Sequence, residues 1–202
     1  VAQIISIHSF RGGTGKSNLT ANLAALLAEA GQRVGVIDTD IQSPGIHILF
    51  GQRGDAVTAS LNDYLWGRCE IQQAAVDVTA ELGPTIRGHL FLIPSSIKSD
   101  EIARILREGC DPRVLTNGFR KLIRALNLDV LLIDTHPGLN EETLLSLALS
   151  HTLVIVMRPD QQDYEGTGVT VEVANALGVP RMWMVVNKVP GVLNLEAVGA
   201  QV

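Results

Sequence analysis

Residues Arg11 to Ser17 read R-G-G-T-G-K-S, and the whole chain reads as built around them. Ahead of them, Ile4-Ile5-Ser6-Ile7 is a short, β-branched apolar run with strand character. Behind them, Asn18 to Glu29 is rich in Ala and Leu and reads as a helix. Strand, glycine loop and helix in that order form a cradle for phosphate. The glycines let backbone amides converge on an anion, and the helix N-terminus adds partial positive charge. In such a cradle Lys16 reaches the β- and γ-phosphates of a nucleotide, and the Ser17 hydroxyl ligates Mg²⁺. One position departs from the common spacing GxxxxGK[ST]. The glycine expected five places before Gly15 is Phe10, and a basic residue, Arg11, is followed directly by Gly12 and Gly13.

Length and composition bound what such a loop can belong to. The sequence of 202 residues suits one domain, spanning 1–202, with a full hydrophobic core. Hydrophobic content of 46% against 18% charged fits a sheet buried on both faces, and 4% aromatics make that core aliphatic. A formal charge of −5 argues against a whole-protein electrostatic grip on DNA or anionic lipid. Cys69 and Cys110 form no CxxC pair and have no metal-ligand spacing, as in a reduced cytoplasmic protein. No apolar run reaches the roughly 18 residues of a membrane span, and no signal peptide precedes the first strand. The chain opens without Met, so an upstream segment is expected to have been removed. It stops on Asn194 to Val202, which reads as the opening turns of a helix, so a truncated C-terminus is expected.

Outward from the loop, apolar runs alternate with helical stretches, the pattern of βαβ units. Candidate strands are Gln3–His8, Arg33–Asp38, His89–Pro94, Val130–Asp134, Thr152–Met157 and Met182–Asn187. Candidate helices are Lys16–Ala30, Leu61–Trp66, Asp100–Glu108, Pro112–Leu126, Glu141–Leu149 and Asp163–Leu177. The expected fold class is therefore α/β, a mostly parallel sheet with helices on both faces. The stretch 52–88 is harder to read; it suggests short helices around Ala59–Trp66 and Ile71–Val76, then a turn at Gly83-Pro84. Tyr64 and Trp66 read as hydrophobic anchors of a surface helix.

In an open parallel sheet, ligands gather beyond the carboxyl ends of the strands. The second strand ends in Asp38-Thr39-Asp40, two carboxylates placed to serve a metal or polarise a water. Val130-Leu131-Leu132-Ile133 runs into Asp134, an apolar strand ending in an acid that could hold Mg²⁺. Thr135-His136-Pro137-Gly138 follows, a tight turn placed to respond to a γ-phosphate. His136 is given no catalytic role. The last strand ends in Asn187, whose amide offers both donor and acceptor to a purine edge.

Together R-G-G-T-G-K-S, D-T-D, L-L-I-D-T-H-P-G and V-V-N-K resemble, in order and rough spacing, the MinD/ParA family of deviant Walker A P-loop ATPases. The resemblance covers Val1 to about Val189. It implies a P-loop NTPase fold with ATP and Mg²⁺ as cofactors. On this resemblance Gly12, Gly13, Thr14, Gly15, Lys16, Ser17 and Asn18 bind the phosphates and Asn187 the adenine. Ser17, Asp38 and Asp134 lie at the metal. Asp40 orients the attacking water. Lys16 and Arg11 complete the catalytic set, with Arg11 in the place of the signature lysine that crosses a nucleotide-sandwiched dimer. Arg keeps the charge and adds a planar fork suited to phosphate. His136 stands where the family commonly has a small residue or Pro.

The implied function is a weak, partner-stimulated ATPase whose ATP-dependent homodimer is a spatial switch for cell-division site placement or partitioning. The MinD-like branch is favoured, and direct DNA binding is less expected given the acidic balance. The implied partners are an activating protein and a membrane surface reached through a missing C-terminal segment, which would make the protein cytoplasmic and peripheral when ATP-bound. Two other readings on the same fold stay open: a metal-cluster assembly or carrier ATPase, and a bacterial-type tyrosine kinase. The first would use a CxxC pair and the second a tyrosine cluster, where this chain has only Tyr64 and Tyr164.

Overall fold

Near-continuous apolar runs can hide both faces of a strand only in the middle of a sheet, and that is where they lie. The computed structural model describes residues 2–53, 58–192 and 195–199. Seven strands form one sheet in the order β3-β4-β2-β5-β1-β6-β7. They are β1 (Gln3–His8), β2 (Arg33–Asp38), β3 (Val76–Asp77), β4 (His89–Ile93), β5 (Val130–Asp134), β6 (Thr152–Met157) and β7 (Met182–Val186). Every pairing is parallel except β3 with β4. The central strand β5, V-L-L-I-D, is buried at all five positions. This is the expected α/β fold.

The helices are α1 (Lys16–Glu29), α2 (Ile46–Leu49), α3 (Leu61–Leu65), α4 (Ser99–Glu108), α5 (Pro112–Ala125), α6 (Glu141–Ala148), α7 (Gln161–Ala176) and α8 (Leu195–Gly199). Alternation along the strands divides the core in two. Val34, Val36, Leu90 and Leu132 face α1 and α2. Ile37, Ile93, Leu131 and Ile133 face α3, α4 and α5, where Phe119 and Leu122 are fully buried. Leu153 and Ile155 continue that second face under α6 and α7. Each fully buried aliphatic or aromatic side chain contributes about 1.5–3 kcal/mol.

Local signals set the helix ends. Ser60 and Asp63 form a reciprocal capping box on α3, and Asp111, Asn140 and Asp160 cap α5, α6 and α7 through their side chains. Gly31 and Gly178, with φ of 96° and 73°, turn the chain out of α1 and α7.

The stretch 52–88 departs from the reading above. Ile71–Ala74 is a 3-10 turn rather than the start of a helix, held by Glu70 and Gln73 in a reciprocal cap. Val76 and Asp77 then pair antiparallel with Leu92 and Phe91, adding the edge strand. A second 3-10 turn spans Thr79–Leu82. Tyr64 is buried, and its hydroxyl donates to the Val114 carbonyl at 3.0 Å. The Trp66 ring is stacked by the guanidiniums of Arg68 and Arg104, 4.6 and 4.5 Å from its centroid. Of the terminal stretch Asn194 to Val202, Leu195–Gly199 form α8, and its other residues lie outside the described set. Among the described residues no helix is long and apolar enough to cross a membrane.

Candidate functional site

β1 delivers the loop Ser9–Gly15 at the sheet's carboxyl edge, between β5 and β6. Gly13 and Gly15 take φ of 79° and 97°, left-handed conformations that a side chain would strain. Gly15 is the N-cap of α1, so no side chain caps that helix, and its first turn contains no acid. Four first-turn amides of a helix have no partner within the helix. In α1 they open onto a cleft of about 310 Å³ lined by Ser9, Gly12 to Asn18, Asp40, Ser43, Pro137 and Lys188.

Beneath that lining, Lys16 Nζ meets Asp134 Oδ1 at 2.7 Å, both side chains buried. Thr20 Oγ1 lies 3.3 Å from the same oxygen and 3.0 Å from the Lys16 carbonyl. Strand register puts Asp38 of β2 beside Asp134 of β5. Asp38 is fully buried. Its Oδ1 accepts from the Asp40 amide at 2.9 Å, and its Oδ2 has no partner. Burial, then the neighbouring carboxylates of Asp134 and Asp40, push its pKa well above the ordinary carboxylate range.

Asp40 lies at the rim. Its Oδ1 accepts from Ser43 N at 3.1 Å, Ser43 Oγ at 3.0 Å and His136 Nδ1 at 2.7 Å. The turn bearing His136 is anchored by Gly138 N donating to the Ser9 carbonyl and by Thr135 Oγ1 donating to the Ile7 carbonyl. Since that hydroxyl proton is committed, His8 Nδ1, 2.8 Å away, donates to Thr135 Oγ1. His8 Nε2 is buried without a partner. Burial, with the nearby positive charge of Lys16 and the His136 ring, lowers the His8 pKa to about 3.

The sequence-expected residues fall into three groups. Gly12, Gly13, Thr14, Gly15, Lys16, Ser17, Asn18 and Asp40 line the cleft together. Asp38, Asp134 and Asn187 stand one layer behind it; Asn187 Nδ2 donates to the Thr14 carbonyl at 2.8 Å and so braces the loop. Arg11 points away. Its Nη1 donates to Gln162 Oε1 at 2.5 Å, 3.8 Å from carboxylates of Asp160 and Asp163 at the start of α7.

Sequence reading missed three participants. Lys188, at φ 56°, donates from Nζ to the Gly13 carbonyl at 2.7 Å, and only its adjacency to Asn187 hinted at a role. Ser43 binds Asp40 from three residues away, a local contact typical of Asp in turns, whereas His136 joins Asp40 through space, for which the sequence offers no spacing rule. Among the described residues no three His, Cys, Asp or Glu side chains gather as a metal site. The oxygens of Ser17, Asp134 and Asp38 are hard donors that suit Mg²⁺, which commonly takes one or two carboxylates and fills its shell with phosphate and water.

A profile of the AAA domain family matches residues 2–177. An ATP-binding protein of Methanocaldococcus jannaschii is 28% identical over 94% of this chain and 65% of its own. The flagellum site-determining protein YlxH of Helicobacter pylori is 32% identical over 78% of this chain and 49% of its own. The cytosolic Fe-S cluster assembly factor CFD1 of Chaetomium globosum is 31% identical over 80% of this chain and 50% of its own. The chain thus spans between about half and two thirds of these relatives' lengths. Among solved structures, the septum site-determining protein MinD of Pyrococcus horikoshii, complexed with Mg-ADP, superposes with a TM-score of 0.81 at 23% identity, covering 99% of this chain and 77% of that one.

Proposed function

The chain belongs to the MinD/ParA family of P-loop ATPases, and on that premise we propose that it binds Mg-ATP, hydrolyses it slowly, and dimerises in its ATP-bound form as a spatial switch. The observation that carries this reading is the start of α1. Its N-terminus has no side-chain cap, and it opens onto the cleft directly above the buried Lys16–Asp134 pair. A phosphate placed there satisfies the free amides and meets the helix's partial positive charge.

From this geometry the roles follow. The amides of Gly12 to Ser17 hold the phosphates, and Lys16 turns from Asp134 toward them. Ser17 Oγ and Asp134, with Asp38 behind, would hold Mg²⁺, which when bound neutralises charge on the phosphate oxygens. Asp40 at the rim accepts a hydrogen bond from the attacking water and aligns it with the γ-phosphate. Asn187, which now braces the loop through the Thr14 carbonyl, offers its amide to the adenine edge. Arg11 swings off α7 to reach the nucleotide of a second copy, a movement its exposed position permits.

The kinship to YlxH, a flagellum site-determining protein, supports a site-determining role; partitioning and an activating protein partner belong to the same proposal by the family resemblance alone. The kinship to CFD1 favours a second reading, metal-cluster assembly. It ranks lower because Cys69 and Cys110, the two cysteines of the sequence, stand apart and form no CxxC pair.

The test is ATPase activity and oligomeric mass measured together for the native chain, Lys16→Ala, Asp40→Ala and Arg11→Ala. Lys16→Ala is expected to lose nucleotide binding. Asp40→Ala with ATP is expected to accumulate as a dimer, and adding Arg11→Ala to abolish it. A persistent ATP-bound monomer in the Asp40→Ala background would defeat the sandwich dimer.

A further inference from the structure

Three donors converge on one oxygen of Asp40. Ser43 N, Ser43 Oγ and His136 Nδ1 all meet Oδ1 at 3.1, 3.0 and 2.7 Å, and among the described residues no donor bonds Oδ2. A carboxylate only accepts, so His136 Nδ1 carries the hydrogen. Two of the donors belong to Asp40's own loop and move with it. His136 comes from the turn after β5, two residues beyond Asp134, and is therefore the link that references Asp40 to the rest of the site. It is itself fixed, since Thr143 Oγ1 at the start of α6 donates to the His136 carbonyl at 3.2 Å. The His136 and Asp40 side chains are only 21% and 13% exposed, so water competes weakly for their bond.

We propose that His136 is a positioning residue that ties the Asp40 carboxylate, through Oδ1, to the turn after β5 and so presents Oδ2 to the water that attacks the γ-phosphate. This rests on the ATPase reading above. Phosphoryl transfer is chiefly a matter of alignment, so an Asp40 held only by Ser43 of its own loop shifts with that loop and loses productive orientations while ATP itself binds as before. His136 does not line the cleft and acts through Asp40 alone.

Replacement by amides separates this role from a structural one. In His136→Asn the side-chain N–H stands where Nδ1 stands and can still reach Asp40. In His136→Gln it stands nearer the place of Nε2 and cannot. Phosphate release from ATP at fixed protein concentration gives kcat and KM, calorimetric titration with ATP gives binding, and thermal melts report folding. Expected are a kcat within about threefold of native for Asn, and a fall of about tenfold or more for Gln and for His136→Ala, with KM within about twofold throughout. Native-like kcat in folded Gln or Ala variants overturns the proposal, as does an Asn variant no better than Gln, or a loss confined to KM. A native chain that neither binds nor hydrolyses ATP overturns the ATPase reading and this proposal with it. A native chain that turns over ATP with all three replacements indifferent overturns His136 alone.

Discussion

His8 makes the stability of this protein depend on pH in a way that can be calculated. Its ring is fully buried, with Nε2 unpartnered and a pKa of about 3, against about 6.5 for an unfolded histidine. The native chain therefore binds fewer protons at this site than the unfolded chain between those two values. Stability falls as pH drops from about 6.5 toward about 3, and the site is neutral to stability above that window. At pH 5, one and a half units into the window at about 1.4 kcal/mol each, the loss is about 2 kcal/mol. For a chain of this size that is about 4–8 °C in Tm. His8→Asn keeps a donor for Thr135 Oγ1 and removes the titration. Urea unfolding of native and His8→Asn proteins at pH 7.5 and 5 isolates the effect, because acids such as Asp38 contribute equally to both and cancel. The native protein should lose about 2 kcal/mol more than the variant on acidification. Parallel losses would show that His8 is charged or solvated in the native state and refute the reasoning.

Two further outcomes test the packing around the site. Lys16→Met leaves the buried Asp134 carboxylate without its 2.7 Å partner and should destabilise the protein by about 3–5 kcal/mol in chemical denaturation, most of which Lys16→Met/Asp134→Asn recovers. Gly88→Ala would drive a Cβ into the Gln32 carbonyl oxygen and bring it to 2.8 Å from that of Ala28. Backbone atoms cannot yield as side chains do, so the loss should exceed the roughly 1–3 kcal/mol of ordinary overpacking, read as a collapse of soluble yield or Tm.

Where the chemistry of a residue and its neighbours in sequence decide its place, the sequence was readable. β5 had to be central because V-L-L-I offers no face to water, whereas α7 was read from Asp163 and in fact starts two residues earlier, at Gln161, under the Asp160 cap. The edge strand β3 was not readable: two residues carry no alternation, and Val76-Asp77 become a strand only because Leu92 and Phe91 lie alongside. The glycine loop was legible for the same local reason as β5. The partners of its flanking residues were not. Arg11 meets Gln162, and Asp40 meets His136, across 151 and 96 positions of chain, and nothing in either neighbourhood encodes the meeting. A histidine in a turn is ordinary until a carboxylate is found against it.

The bracing of the loop also bears on how the protein comes off the ribosome. The Thr14 and Gly13 carbonyls are held by Asn187 and Lys188, 173 and 175 residues downstream. The glycine loop is made well before its supports, which follow it by more than 170 residues. A nascent chain can pair β1 with β5 and bury α1 long before β7 exists, so the hydrophobic layers can form while the loop is still unbraced. Completion of the loop then waits for β7, and a growing chain halted before β7 would carry the motif without the scaffold that holds it to shape.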